Sequence, residues 1–176
     1  MFLETERLFL RKMEEADFEE FLEYASDAET SRMMGREDIS DPAAACRTFD
    51  WLVHHEPRAY AMIHKETGKL IGNMTISMPP PAVTRQKALA GKAGRTLSFS
   101  ISRDFRRKGL TLEAASHVIE RLFLIEGLDY INCGYLSFNT ASRELQKKLG
   151  FTHLTTETVE IDGEPVTVIE NILWRI

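Results

Sequence analysis

Leu97, Phe99 and Ile101 alternate with Ser98, Ser100 and Ser102, which predicts a strand with one apolar face. From Leu112 the period lengthens. Leu112, Ala115, Val118, Ile119, Leu122 and Phe123 recur at helical spacing and predict a helix of roughly four turns. Tyr130 to Ser137 reads as the next strand, so the three elements form a right-handed βαβ unit with parallel strands. Ligands of such units bind at the carboxyl ends of the strands, which is expected to bring the turn around Gly109 close to Ser137–Ser142.

The same patterning organises the flanks. Glu6–Arg11 alternates as a strand, and Asp17 caps a helix whose stripe is Phe18, Phe21, Leu22 and Ala25. A loop with Met33, Met34 and Gly35 leads to a helix capped by Asp41, with Pro42 first and Cys46, Phe49, Leu52 and Val53 on one side. The methionines either fill a gap in the core or border a ligand site. Tyr60–His64 and Leu70–Ser77 predict a hairpin closed by Lys65–Lys69. Thr140 to Leu149 predicts a helix stopped by Gly150, with Ala141, Leu145 and Leu149 inside; Thr152–Ile161 and Val166–Ile176 predict a closing hairpin around Asp162–Pro165. Met78 to Arg95 breaks the pattern with three prolines, two glycines, four cations and no acid. It predicts a long structureless loop, read most simply as a flexible basic insertion at 78–95; Arg85, Lys87 and Lys92 are otherwise placed to steer an acidic acceptor.

The length of 176 residues suits a single domain over 1–176, and the net charge of −5 argues against a nonspecific nucleic-acid binder. Cys46 and Cys133 lack metal-type spacing and suit a reducing cytoplasm. Met1–Arg7 is charged too early for a signal peptide, and no apolar run approaches the ~18–20 residues of a membrane span, so a cytoplasmic location is expected. The five histidines give no HExxH, and no Gly-x-Ser-x-Gly occurs, so neither a metal site nor a hydrolase triad is expected.

The candidate chemistry lies in Arg106-Arg-Lys-Gly-Leu-Thr111, between strand and helix. A helix start has unpartnered N–H groups and the positive end of the dipole, Gly109 lets a ligand approach the backbone, and the cations add attraction, so the turn reads as a phosphate or pyrophosphate cradle. Downstream, Asn139 precedes a helix with Ser142 in its first turn and Leu149-Gly-Phe151 at its end, a pattern that an ordinary N-cap also explains.

Together these two segments resemble the GNAT acetyltransferase superfamily: the turn is similar to its acyl-CoA-binding Arg/Gln-x-x-Gly-x-Gly/Ala, and the later helix to its Asn-x-x-Ser…Leu-Gly-Phe. The opening Thr5-Glu-Arg-Leu-x-Leu-Arg11, followed by Asp17, looks like the ribosomal-protein N-acetyltransferase (RimJ/RimL-like) branch. The resemblance implies an α/β (α+β) fold, a mixed and mostly antiparallel sheet of about seven strands with a central splayed parallel pair and about four helices. It also implies acetyl-CoA as co-substrate with no metal, and an amine acceptor such as a peptide amino terminus or a small-molecule amine.

The cofactor residues it implies are Ile101, Arg106, Arg107, Lys108, Gly109, Thr111, Leu112, Asn139 and Ser142, with Arg106 or Lys108 near the adenosine phosphates. Ser142 is implied as the proton donor to the leaving thiolate. Thr111 departs from the small residue of the pattern, and Thr96 stands where many relatives carry a glutamate base. Glu160 is the first candidate for the missing base, with Glu157 and Glu170 behind it; all three are also readable as surface strand charges. Without a dedicated base, an α-amino group of pKa ~7.7–8.0 is the easier acceptor. A catalytically weak acyl-CoA-binding regulatory protein is the alternative, and a protein-interaction domain a third. A homodimer is compatible with either.

Overall fold

The computed structural model describes residues 3–35, 41–161 and 163–175. Its strands are β1 (Leu3–Glu4), β2 (Leu8–Lys12), β3 (Ala59–His64), β4 (Leu70–Ser77), β5 (Gly94–Ile101), β6 (Tyr130–Leu136), β7 (Thr152–Ile161) and β8 (Glu164–Trp174). Its helices are α1 (Phe18–Ala25), α2 (Ala28–Met34), α3 (Pro42–Asp50), α4 (Pro81–Thr84), α5 (Leu110–Ile125) and α6 (Thr140–Lys148). The strands pair in the order β1-β2-β3-β4-β5-β6-β8-β7, antiparallel in the described registers except for β5 with β6. The α/β class is as expected. The eight strands and six helices of the described residues exceed the expected seven and four, because β1 is too short to show a period and α2 and α4 lie where loops were predicted. No helix of the described residues is long and apolar enough to cross a membrane.

The chain forms two compact units. The first, Met1–Thr75 with Phe99–Ala114, has a core in which Phe21, 1% exposed, meets Tyr24 and Phe49 ring to ring at 5.5 and 5.2 Å. Helix α3 begins as its sequence dictates, with Asp41 accepting from Ala43 and Ala44 N–H and proline in the first turn. Its buried side is Ala44, Ala45 and Phe49; Cys46, expected inside, is exposed. Alanines on that side let the helix lie close to its neighbours, a contact that a count of large apolar residues misses. Met33 belongs to α2, which Gly35 ends in a left-handed cap at φ 63°.

In this unit β4 has a close-approach glycine. A Cβ on Gly72 would stand 2.2 Å from the Ser100 carbonyl oxygen and 2.9 Å from Ile101 Cα, so no other residue fits without backbone movement. The alternation predicted for β5 fails here. Ser100 is buried while Phe99 and Ile101 are half-buried, because the Ser100 hydroxyl donates to Asn73 Oδ1 at 2.8 Å, which also accepts from Tyr24.

The second unit, Ile76–Ser98 with Ala115–Ile176, contains the stretch expected to be structureless. Helix α4 and a 3-10 turn at Lys87–Leu89 occupy it, and Ala82, Val83 and Leu89 are buried, Val83 and Leu89 in a cluster with Tyr130 and Ile172. Proline starts a helix as readily as it breaks one, which the composition could not distinguish. Helix α6 also differs from expectation. Ala141 is exposed and Leu145 and Leu149 half-buried, whereas Gln146 is fully buried. The closing β7–β8 hairpin turns at Gly163, φ 79°; Asp162 lies outside the described residues.

Candidate active site

In the first unit, β5 leads through a 3-10 turn at Arg103–Phe105 into Arg106–Gly109, and α5 starts at Leu110, two residues before the predicted Leu112. Arg107 and Gly109 both have left-handed backbone, at φ 61° and 79°. The Gly109 carbonyl accepts from Glu113 N–H, so Gly109 is the last residue before the helix. Among the described residues no hydrogen bond satisfies the backbone N–H groups of Arg107 to Leu112. A run of bare N–H groups at a helix start is an anion receptor, and these residues therefore fit a pyrophosphate. Thr111 and Leu112 are half-buried in the first turn, and Thr111 keeps its backbone N–H, so the missing small residue there does not remove a backbone donor.

Gly109 has open space where a side chain would stand, the nearest atom being Arg7 Nη2 at 3.5 Å. Gly109→Ala is therefore expected to cost only the left-handed strain, about 1–2 kcal/mol, readable as a lower urea midpoint with unchanged slope.

The turn is held from beneath by residues the sequence reading did not connect. Glu113 in the first turn of α5 accepts from Thr5 Oγ1 at 2.5 Å, Arg7 N at 2.8 Å and Arg7 Nε at 2.7 Å, and Arg7 Nη1 donates to the Lys108 carbonyl at 2.9 Å. Burial pushes the Glu113 carboxyl up, but the bonds from Thr5 and Arg7 outweigh it and hold it below the usual range. Arg106 is engaged elsewhere in this unit. It donates to Thr30 Oγ1 at 2.6 Å and to Glu29 at 3.1 Å, with Asp27 at 3.6 Å, so its charge is already matched by the start of α2. The hydrogen bonds of Thr30, with help from Arg106 and Arg103, hold the Asp27 carboxyl low. Arg107 and Lys108 are the exposed cations of the turn, Lys108 lying 5.0 Å above the Phe105 ring, and Ile101 is half-buried at the end of β5.

The second unit contains the parallel pair. The β5–β6 ladder covers Gly94↔Tyr130, Arg95↔Ile131 and Thr96↔Asn132, although β6 continues to Leu136. At the end of that ladder Thr96 Oγ1 donates to Asn132 Oδ1 at 2.7 Å, and Asn132 Nδ2 donates to Glu170 Oε2 at 2.7 Å and to the Asn171 carbonyl at 3.0 Å. A second chain runs to α6: Asn171 Nδ2 donates to Gln146 Oε1 at 2.8 Å, and Gln146 Nε2 donates to Ser142 Oγ at 3.1 Å. Gln146 is buried because each end of its amide has a partner, and that is invisible to a period of apolar residues. Asn139 caps α6 by accepting from Ser142 N–H at 3.0 Å, the ordinary role its position suggested.

The candidate carboxyls separate clearly. Glu160 is exposed on β7 opposite Pro165, and Glu157 is half-buried. Glu170 is 5% exposed, and burial raises its carboxyl above the usual range, with Glu157 adding to the rise and Asn132 opposing it. Burial likewise pushes the Cys133 thiol far up, so it is no nucleophile.

The comparisons agree with this geometry. Residues 7–152 match the model of the acetyltransferase (GNAT) domain. The uncharacterized N-acetyltransferase YoaA of Bacillus subtilis is 30% identical over 155 residues, covering 85% of this chain and 81% of that one. A GNAT-family acetyltransferase structure from Bacillus anthracis superposes with a TM-score of 0.83 at 19% identity over 99% of this chain and 98% of that one. Spermidine N-acetyltransferase from Vibrio cholerae, in complex with CoA and spermine, superposes with a TM-score of 0.73 at 15% identity, covering 96% and 95%. With its turn of bare N–H groups, its short parallel ladder and a family match across most of its length, the chain belongs to the GNAT acetyltransferases and is an acyltransferase.

Proposed function

We propose that the protein transfers an acetyl group from acetyl-CoA to a primary amine, by direct attack of the amine on the thioester. The observation that carries this reading is the row of unsatisfied N–H groups from Arg107 to Leu112, held open by two left-handed residues and suited to a pyrophosphate. In the second unit the edge of β6 beyond Asn132 offers backbone groups to an extended arm such as pantetheine. Ser142 supports the proton-donor role: its oxygen accepts from Gln146, which leaves its own O–H to donate to a leaving thiolate. The opening Thr5–Arg11 supports the ribosomal-protein branch and hence a peptide amino terminus as acceptor; spermine bound to the Vibrio cholerae neighbour supports a polyamine instead.

Calorimetry with acetyl-CoA, paired with a thiol-release screen over amines, tests the reading. Micromolar binding that Gly109→Asp abolishes, by placing a carboxylate among the N–H groups, establishes the cradle, and thiol release with an α-amine or a polyamine identifies the acceptor. Binding without release for any amine would leave a regulatory acyl-CoA binder. No binding by a folded sample would leave neither.

A further inference from the structure

Glu170 combines three features that its position on a closing hairpin did not predict. It is almost wholly buried, only Oε2 has a hydrogen-bond donor among the described residues, and its carboxyl lies over a glycine. Gly134 faces Glu170 across the β6–β8 ladder, and a Cβ there would stand 2.8 Å from both carboxyl oxygens. Glycine is thus required for the carboxyl to extend over β6, in the stretch that no longer pairs with β5. Asn132 is oriented for the contact. Thr96 donates to its oxygen, which fixes the amide nitrogen toward Glu170.

The facing titratable groups are Glu157 of β7 and Cys133 of β6, and no cation among the described residues forms an ion pair with Glu170. A buried carboxyl with one donor and no counter-ion stabilises a proton or a cation brought to its open oxygen.

We propose that Glu170 Oε1 takes the proton from the acceptor's ammonium, supplying from β8 the carboxylate that Thr96 lacks on β5. This rests on the acetyltransferase reading. The ammonium gives one proton to Glu170. The freed lone pair forms the C–N bond as the C–S bond breaks. A second N–H proton leaves with the thiolate, by way of Ser142, to give the thiol, and the proton on Glu170 passes to water.

The test is the pH profile of kcat/KM for wild type, Glu170→Gln and Glu170→Asp, with the best amine from the screen and acetyl-CoA affinity measured in parallel. Glu170→Gln is expected to lower kcat/KM by about 10²–10⁴-fold near neutral pH, to recover as pH approaches the amine's own pKa, and to leave acetyl-CoA affinity unchanged. Glu170→Asp keeps a carboxyl and retains part of the rate. Wild-type rate and profile in Glu170→Gln would overturn the proposal while leaving the acetyltransferase reading intact. If that variant does not fold, a wild-type profile in Glu170→Asp has the same force. A wild-type enzyme that releases no thiol with any amine overturns both.

Discussion

Replacing Asn132 by alanine lowers the unfolding free energy by on the order of 3 kcal/mol at neutral pH, since it strands three groups at once. Glu170 loses its only side-chain donor among the described residues, the Thr96 hydroxyl loses its acceptor, and the Asn171 carbonyl loses a bond, all around a residue that is fully buried. The loss depends on pH, with a sign fixed by Glu170. Asn132 is the contact that opposes the upward shift of that carboxyl, so removing it pushes the carboxyl higher still. Relative to the unfolded chain, a raised carboxyl favours folding less as pH rises above the ordinary value of ~4.3 and through its folded pKa. Asn132→Ala is therefore worst at neutral pH and milder in acid. Urea melts of Asn132→Ala, Glu170→Gln and the double variant at two pH values check this: in the double variant the penalty should fall well short of the sum, and simple additivity would show that the two side chains are not coupled.

Glu113→Gln is expected to cost about 2–3 kcal/mol, because the carboxylate has three donors and is mostly shielded from water, and the neutral amide cannot accept them all. The folded carboxyl is held below its ordinary value, so its stabilisation is fully present above ~4.3 and disappears as pH falls through the lower folded pKa. The difference between wild type and variant should be constant above about pH 5 and shrink below ~4.3. Acetyl-CoA affinity should fall as well, because Arg7 also holds the Lys108 carbonyl and would lose the partner that orients it. An Arg7→Ala variant with full affinity would show that the turn holds its shape unaided.

Local chemistry made much of the fold legible. Asp41-Pro42 caps α3, Gly163 turns the last hairpin, and the change of period after Ser102 places a strand before a helix. Such features depend on residues within a few positions of each other, and the chain itself carries them. The glycine turn before α5 was legible for the same reason, since Gly109 and the start of the helix are contiguous.

What could not be read were positions whose partners lie far along the chain. Gln146 is polar, and a period of apolar residues assigns it to the surface; Asn171, 25 residues away, makes it core. Thr5 and Arg7 entered the sequence reading only through a resemblance to a family branch, and their grip on Glu113 spans 108 and 106 residues. Among the three acids Glu157, Glu160 and Glu170 on one hairpin, the sequence put Glu160 first, yet Glu160 is exposed and Glu170, paired with Gly134 and bonded to Asn132, is the buried one. By itself the sequence determined most of the strands and helices, the family and the place of the glycine turn before α5, because periodicity and capping are local. The tertiary structure alone decided which carboxyl is desolvated and which polar side chains are core, because burial is a property of neighbours brought together from distant parts of the chain.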